Sequence, residues 1–187
     1  SYDELSRVAK IATELKKIQK VYLRLTPGID AHTHEFISTA HEDVKFGFSI
    51  ASGDAQIAID KCMAESSLNL VGIHCHIGSQ IFEVSGFELA AQRLVAVLVA
   101  FRDKYSKELA ELNLGGGYGI AYTKNESAIS PAQVIPAIAK VIKSECEKAK
   151  LSVPKISIEP GRAIVGPTTT TIYMVGTTKS VTLENGA

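Results

Sequence analysis

The chain has 187 residues, 45% hydrophobic and 21% charged, and its 20 basic and 20 acidic side chains cancel to a net charge of zero. That composition fits one soluble globular unit with a core of its own. It offers no basic surplus for nucleic acid or an anionic membrane, and no apolar run reads as long enough to span a bilayer. Three cysteines, Cys62, Cys75 and Cys146, share no metal-type spacing. A sparse, odd count reads as small buried thiols in a reducing, cytoplasmic compartment. No signal-peptide pattern precedes the first helix, and without an initiator Met the sequence does not read as starting at its natural first residue.

Leu5, Val8, Ile11, Leu15 and Ile18 recur at helical spacing, which predicts a helix from Asp3 to Lys20 with acidic residues in its first turn and Lys16, Lys17 and Lys20 at its end. Val21 to Thr26 is β-rich and stopped by Pro27-Gly28. Residues 29–50 read as a long loop with a short strand at Phe46–Ile50, followed by a helix from Gly53-Asp54 to about Glu65. Leu70 to Ile77 is a second strand, Gly86 to Lys104 a strong helix, and Leu112 to Leu114 a short strand. Ser130-Pro131-Ala132-Gln133 is a capping box with proline at the first helical position. It starts a helix to about Lys150, with a kink expected at Pro136. Lys155 to Ile158 is the last strand of this series, and Thr168 to Val181 reads as the first strand of a different, all-β region.

Strand starts near residues 21, 70, 111 and 155 have the spacing of βα units with long loops, so the fold class is α/β with a parallel sheet. Four such units cannot close an eight-stranded barrel, and an open sheet would leave bare edges. The chain therefore reads as the middle of a longer protein. Residues 1–166 are the β/α portion and 167–187 the beginning of a C-terminal β domain.

Three of these strands end in chemistry-bearing motifs: His76-Ile77-Gly78-Ser79, Gly115-Gly116-Gly117 and Glu159-Pro160-Gly161-Arg162. Parallel α/β folds place their sites at strand C-termini. His74 and His76 fall on one side of their strand, with Cys75 opposite. They can lie on a flat heteroaromatic ring, bind a metal as an H-x-H pair, or be ordinary hydrogen-bonded core histidines. His32-Thr33-His34-Glu35 repeats the H-x-H pattern, which keeps a metal-dependent hydrolase open as an alternative, although no H-E-x-x-H is present. The glycine run lets a backbone approach a phosphate, or forms a plain turn. Glu159 at the end of a buried strand needs a cationic partner, either a protonated ring nitrogen or Arg162 nearby. Arg162 can grip a phosphate or a carboxylate through two parallel hydrogen bonds. Taken together, the three strand ends point to one phosphate-bearing aromatic cofactor.

Val71-Gly72-Ile73-His74-Cys75-His76-Ile77-Gly78-Ser79-Gln80 resembles the histidine strand of the diaminopimelate decarboxylases. Leu114 to Tyr122 and Ile158-Glu159-Pro160-Gly161-Arg162 match two further motifs of that family. Pro27 to Ile37 and Lys45-Phe46-Gly47 fit the diaminopimelate branch better than the ornithine and arginine branches. The resemblance covers essentially the whole chain. It implies part of a (β/α)8 TIM-type, alanine-racemase-like barrel that binds pyridoxal 5'-phosphate. His76 would stack on the cofactor ring, and Glu159 would pair with its nitrogen. Ser79, Gly116, Gly117 and the Gly161-Arg162 backbone would hold the phosphate, with Arg162 also reaching a substrate carboxylate. The implied reaction converts meso-diaminopimelate to L-lysine and CO2, in a cytoplasmic homodimer with a small amino-acid substrate and no nucleic-acid or membrane partner. The family's Schiff-base lysine lies ahead of anything in this chain, so these residues alone are expected to be inactive. A non-catalytic pyridoxal-phosphate-binding relative and an ornithine or arginine decarboxylase are the other readings in this class.

Overall fold

A computed structural model describes residues 1–29, 46–128 and 130–182. The second H-x-H motif at His32 and His34, and Lys45, lie outside the described residues. The elements, in chain order, are α1 (Tyr2–Glu14), β1 (Gln19–Thr26), β2 (Phe48–Ser49), α2 (Asp54–Ala64), β3 (Leu68–His74), α3 (Val84–Tyr105), β4 (Glu111–Asn113), α4 (Pro131–Ala149), β5 (Lys155–Ser157) and α5 (Gly161–Val165). A short 3-10 turn at Gly166–Thr168 follows.

The strands form one parallel sheet in the order β2-β1-β3-β4-β5. The four strands expected from sequence are therefore neighbours in chain order, as a β/α barrel requires. The two-residue β2 was foreseen as a strand, but its place was not. It pairs with the far edge of β1 through Leu25 and Thr26.

Alternation along the strands sorts the sheet into two faces. Leu23, Leu25, Ile73, Cys75, Leu112 and Leu114 are all buried. They join one core with Ala58 and Ile59 of α2, Phe87, Leu94 and Leu98 of α3, and Ile138, Ile142 and Cys146 of α4. Full burial of each large aliphatic side chain contributes about 1.5–3 kcal/mol, so this face holds the helices to the sheet. The three cysteines are free and buried in the same core. The opposite face is polar. Its rows run Tyr22, Gly72, Glu111, Lys155 and then Arg24, His74, Asn113, Ser157. In the first row a Cβ at Gly72 would collide with the Glu111 backbone carbonyl and also meet the Tyr22 ring, whose hydroxyl bonds to Glu111.

Four expectations change. The first helix stops at Glu14 and not at Lys20. Lys16 takes a left-handed φ of 52°, and Gln19 and Lys20 enter the ladder opposite Leu68 and Asn69. The three lysines thus lie beyond the helix and do not complement its dipole; pairing with β3 has overridden the helical period. The last helix, α5, begins at the Gly161-Arg162 motif itself, where no helix was foreseen. Residues 169–182 contain neither helix nor strand, and Ile172, Tyr173, Met174 and Val175 are 80–96% exposed. A β-rich stretch needs a ladder partner, and the described residues supply none over 168–181. Finally, α3 is long and apolar enough, by length and composition, to cross a membrane, contrary to the sequence reading. Here seven of its residues, Phe87 to Phe101, are buried in the core, and Arg102 bonds to the carbonyls of Ala149 and Lys150 at the end of α4.

Candidate functional site

The polar face of the sheet leads to the strand C-termini, where the three motifs meet. Beyond β3 the backbone keeps its alternation: Cys75 and Ile77 are buried, while His74 and His76 are partly exposed on the polar side. The chain stays in register through Cys75 N–H, which donates to the Asn113 carbonyl at 3.0 Å. The Gly116 N–H donates to His76 Nδ1 at 3.3 Å. That bond makes Nδ1 an acceptor, so the neutral ring carries its proton on Nε2. Burial lowers the His76 pKa, and the nearby Arg24 and His74 charges lower it further against the opposing pull of Glu159. A neutral, oriented imidazole suits contact with an aromatic face.

The glycine run is more than a flexible turn. Gly115 has a φ of 68° and Gly117 one of 97°. A Cβ on Gly115, Gly116 or Gly117 would collide with the backbone carbonyl oxygen of Cys75, Glu159 or Gly78 respectively. The run is therefore pressed between the β3 and β5 ends. Its outer part is laced to the Ser79 turn: Ile81 N–H donates to the Gly117 carbonyl at 2.9 Å, and Gly119 N–H to the Ile81 carbonyl at 3.0 Å. Gln80 clamps the same turn, its side chain giving and taking a hydrogen bond at 2.9 Å with the Ile120 backbone. The N–H groups of Ser79 and Gly117 are spent on no hydrogen bond among the described residues. Two such donors on joined turns, with the Ser79 hydroxyl, are the kind of groups a phosphate takes.

Glu159 is placed by β5. Its N–H donates to the Gly115 carbonyl at 2.7 Å. Its carboxylate accepts from Asn113 Nδ2 at 2.8 Å, with His74 Nε2 at 3.5 Å from the same Oε1. The side chain is 54% exposed, so the burial cost inferred from sequence does not arise. The Glu159–Arg162 ion pair weighed as an alternative does not form either. Arg162 turns the other way, donating from Nη1 to the Tyr122 hydroxyl at 2.6 Å. Gly161, at the start of α5, has open space where a Cβ would be.

The structure thus brings His76, Ser79, Gly116, Gly117 and Glu159 to one mouth, with Gly161 and Arg162 at its rim. Sequence reasoning missed Arg24, Asn113 and Tyr122. Arg24 and Asn113 had a readable signal, since each is a polar residue flanked by two buried leucines within a β-run. Among the described residues, no group of three or more metal-ligating side chains is clustered.

The family described as pyridoxal-dependent decarboxylase, pyridoxal binding domain, matches residues 1–166. The chain belongs to this family. Among curated relatives it is 45% identical over 185 residues to the diaminopimelate decarboxylase of Corynebacterium efficiens, covering 99% of this chain and 40% of the relative. It is 46% identical over 185 residues to that of Mycobacterium tuberculosis, covering 97% and 41%. Among solved structures, diaminopimelate decarboxylase from M. jannaschii superposes with a TM-score of 0.77 at 33% identity, over 88% of this chain and 37% of that one. The Helicobacter pylori enzyme complexed with L-lysine gives 0.74 at 29% identity, over 88% and 39%. The chain spans about 40% of the length of the curated relatives it matches. Those likenesses place the sheet as part of a pyridoxal-dependent decarboxylase barrel.

The two site histidines make stability depend on pH. Burial is the main cause that lowers both from the ordinary value of 6.5. The unfolded chain then takes up protons near pH 6.5 that the folded chain refuses, so stability falls as pH drops below about 6.5 and is insensitive to these groups above it. His76→Gln is expected to flatten part of that acid-side loss. Thermal melts between about pH 5 and pH 7.5 would show it. An unchanged slope in the variant would remove His76 as a contributor.

Proposed function

We propose that this chain is the central, cofactor-binding part of a diaminopimelate decarboxylase, a cytoplasmic carboxy-lyase that converts meso-diaminopimelate to L-lysine and CO2 with pyridoxal 5'-phosphate. The observation that carries the reading is Glu159, a carboxylate held at the mouth by Asn113 and flanked by a neutral His76 and the glycine cradle. When bound, the cofactor supplies an electron-poor ring that accepts the electron pair left by the departing carboxyl group.

This chain's residues do the rest. With the cofactor bound, His76 would lie against one face of the ring and orient it. Ser79 and Gly117 would hold the phosphate together with Arg162, while Gly116 and Gly161, whose N–H groups donate to His76 Nδ1 and to the Glu159 carbonyl, would shape the loops around it. Glu159 would keep a proton on the ring nitrogen, which would preserve its demand for electrons. Arg162 presents its remaining N–H groups to a substrate carboxylate, while Tyr122 holds one of its nitrogens. The lysine that bonds the cofactor lies upstream of this chain. Residues 167–187 begin a C-terminal β domain whose strands pair in the complete protein, and the complete protein is a homodimer.

The test uses the full-length protein. It is expected to be yellow, and to release one CO2 and one L-lysine for each meso-diaminopimelate consumed, while the 187-residue chain alone has little or no activity. Faster turnover of ornithine or arginine would overturn the substrate assignment. A protein that takes up no pyridoxal phosphate would overturn the reading as a whole.

A further inference from the structure

We propose that Asn113 is a positioning residue that fixes the orientation of the Glu159 carboxylate and couples it to the glycine cradle. The inference rests on the pyridoxal-phosphate reading above. Asn113 ends β4, in the row that places it beside His74 of β3 and Ser157 of β5. Its Oδ1 accepts from the Gly115 N–H at 2.8 Å, an Asx turn that opens the glycine run. A backbone N–H can only donate, so this contact sets which way the amide faces. Nδ2 must then point across to β5, where it donates to Glu159 Oε1 at 2.8 Å. His74 Nε2 approaches the same oxygen at 3.5 Å.

Glu159 Oε2 takes part in no hydrogen bond or ion pair among the described residues, although the carboxylate also feels the charge of Arg24. One oxygen is therefore tied down by protein, and the other is available to a ring nitrogen. Without Asn113, a half-exposed glutamate has rotamer freedom to lose on each binding event. Asn113 also spans the gap between the loop that cradles the phosphate and the group that meets the ring, which are the two ends of one ligand.

The test separates the two ends of the amide. In full-length holoenzyme, Asn113→Ser keeps an oxygen that can accept from the N–H two residues on, but is too short to reach Glu159. Asn113→Leu removes both contacts. The readouts are cofactor affinity, kcat, and the resonance of pyridoxal phosphate isotope-labelled at its ring nitrogen, which reports protonation directly. For Asn113→Ser we expect cofactor affinity within about threefold of wild type, kcat lower by about 10- to 100-fold, and a ring nitrogen that loses its proton at lower pH. Asn113→Leu should additionally weaken cofactor binding. A wild-type resonance and wild-type kcat in Asn113→Ser would overturn the inference. If the wild-type protein binds no pyridoxal phosphate, or holds it with an unprotonated nitrogen, the underlying functional reading fails instead, and the inference with it. Should either variant fail to fold, a crystal structure of the wild-type holoenzyme decides: a separation of Asn113 Nδ2 from Glu159 Oε1 beyond about 3.5 Å would also overturn it.

Discussion

Replacing Gly117 by alanine is expected to destabilise the protein by about 3 kcal/mol or more and to weaken pyridoxal-phosphate binding more than about 100-fold. Two independent penalties act at this position. A φ of 97° is a conformation that L side chains rarely adopt. In addition, the new methyl group would sit against the Gly78 carbonyl oxygen, which is main chain and cannot rotate away. The loop cannot simply retreat, because the Gly117 carbonyl accepts from Ile81 and Gly119 donates back to it. Relief of the clash therefore costs hydrogen bonds in the turn that presents Ser79. Gly161 provides the contrast: its backbone is not left-handed and nothing lies within 4 Å of its missing Cβ. Gly161→Ala should leave the melting temperature unchanged, and because the Gly161 N–H is already given to the Glu159 carbonyl at 2.9 Å, any weakening of cofactor binding there reports crowding by the added methyl group and not the fold. Thermal melts and equilibrium dialysis against pyridoxal phosphate read both variants. Wild-type melting and binding in Gly117→Ala would show that the loop is not packed as described.

Periodicity carried much of this architecture in advance. The long helices, the four main strands and the capping box before Pro131 were legible because each follows from local spacing or local hydrogen bonding. Gln133 does reach back to the Ser130 N–H, at 3.2 Å. What local pattern could not supply was partner choice. The apolar spacing of Leu15 and Ile18 continues a helix, but Gln19 onwards gains a ladder with β3, so the helix ends early. The three-residue separation of Glu159 and Arg162 invites an ion pair. Glu159 instead precedes α5 and faces β4, while Arg162 lies within α5 and meets Tyr122 from the loop after β4. The motif residues of the site were readable as strand-end chemistry. The flanking leucines mark Asn113 as lying on the polar face, but only the sheet register shows that it stands beside His74 and within reach of Glu159.

The same partner logic makes Glu159→Gln a severe change, although the two side chains are nearly isosteric. In full-length holoenzyme, kcat is expected to fall by about 100- to 1,000-fold. Cofactor affinity should stay within about fivefold, since the phosphate contacts supply most of it. The loss of charge is one part of the argument, because a neutral amide no longer stabilises a protonated ring nitrogen. Geometry adds the other. Asn113 Nδ2 is a donor aimed at the Oε1 position, so the glutamine must place its carbonyl oxygen there to accept. Its NH2 group then occupies the position of Oε2 and points a donor at the ring nitrogen. A donor favours the unprotonated nitrogen, which is the electron-rich form least able to accept the electrons left by decarboxylation. The variant should therefore hold cofactor in the wrong protonation state, with a ring-nitrogen resonance shifted to the unprotonated position and a low kcat at unaltered KM. Turnover equal to wild type would remove Glu159 from the ring nitrogen altogether.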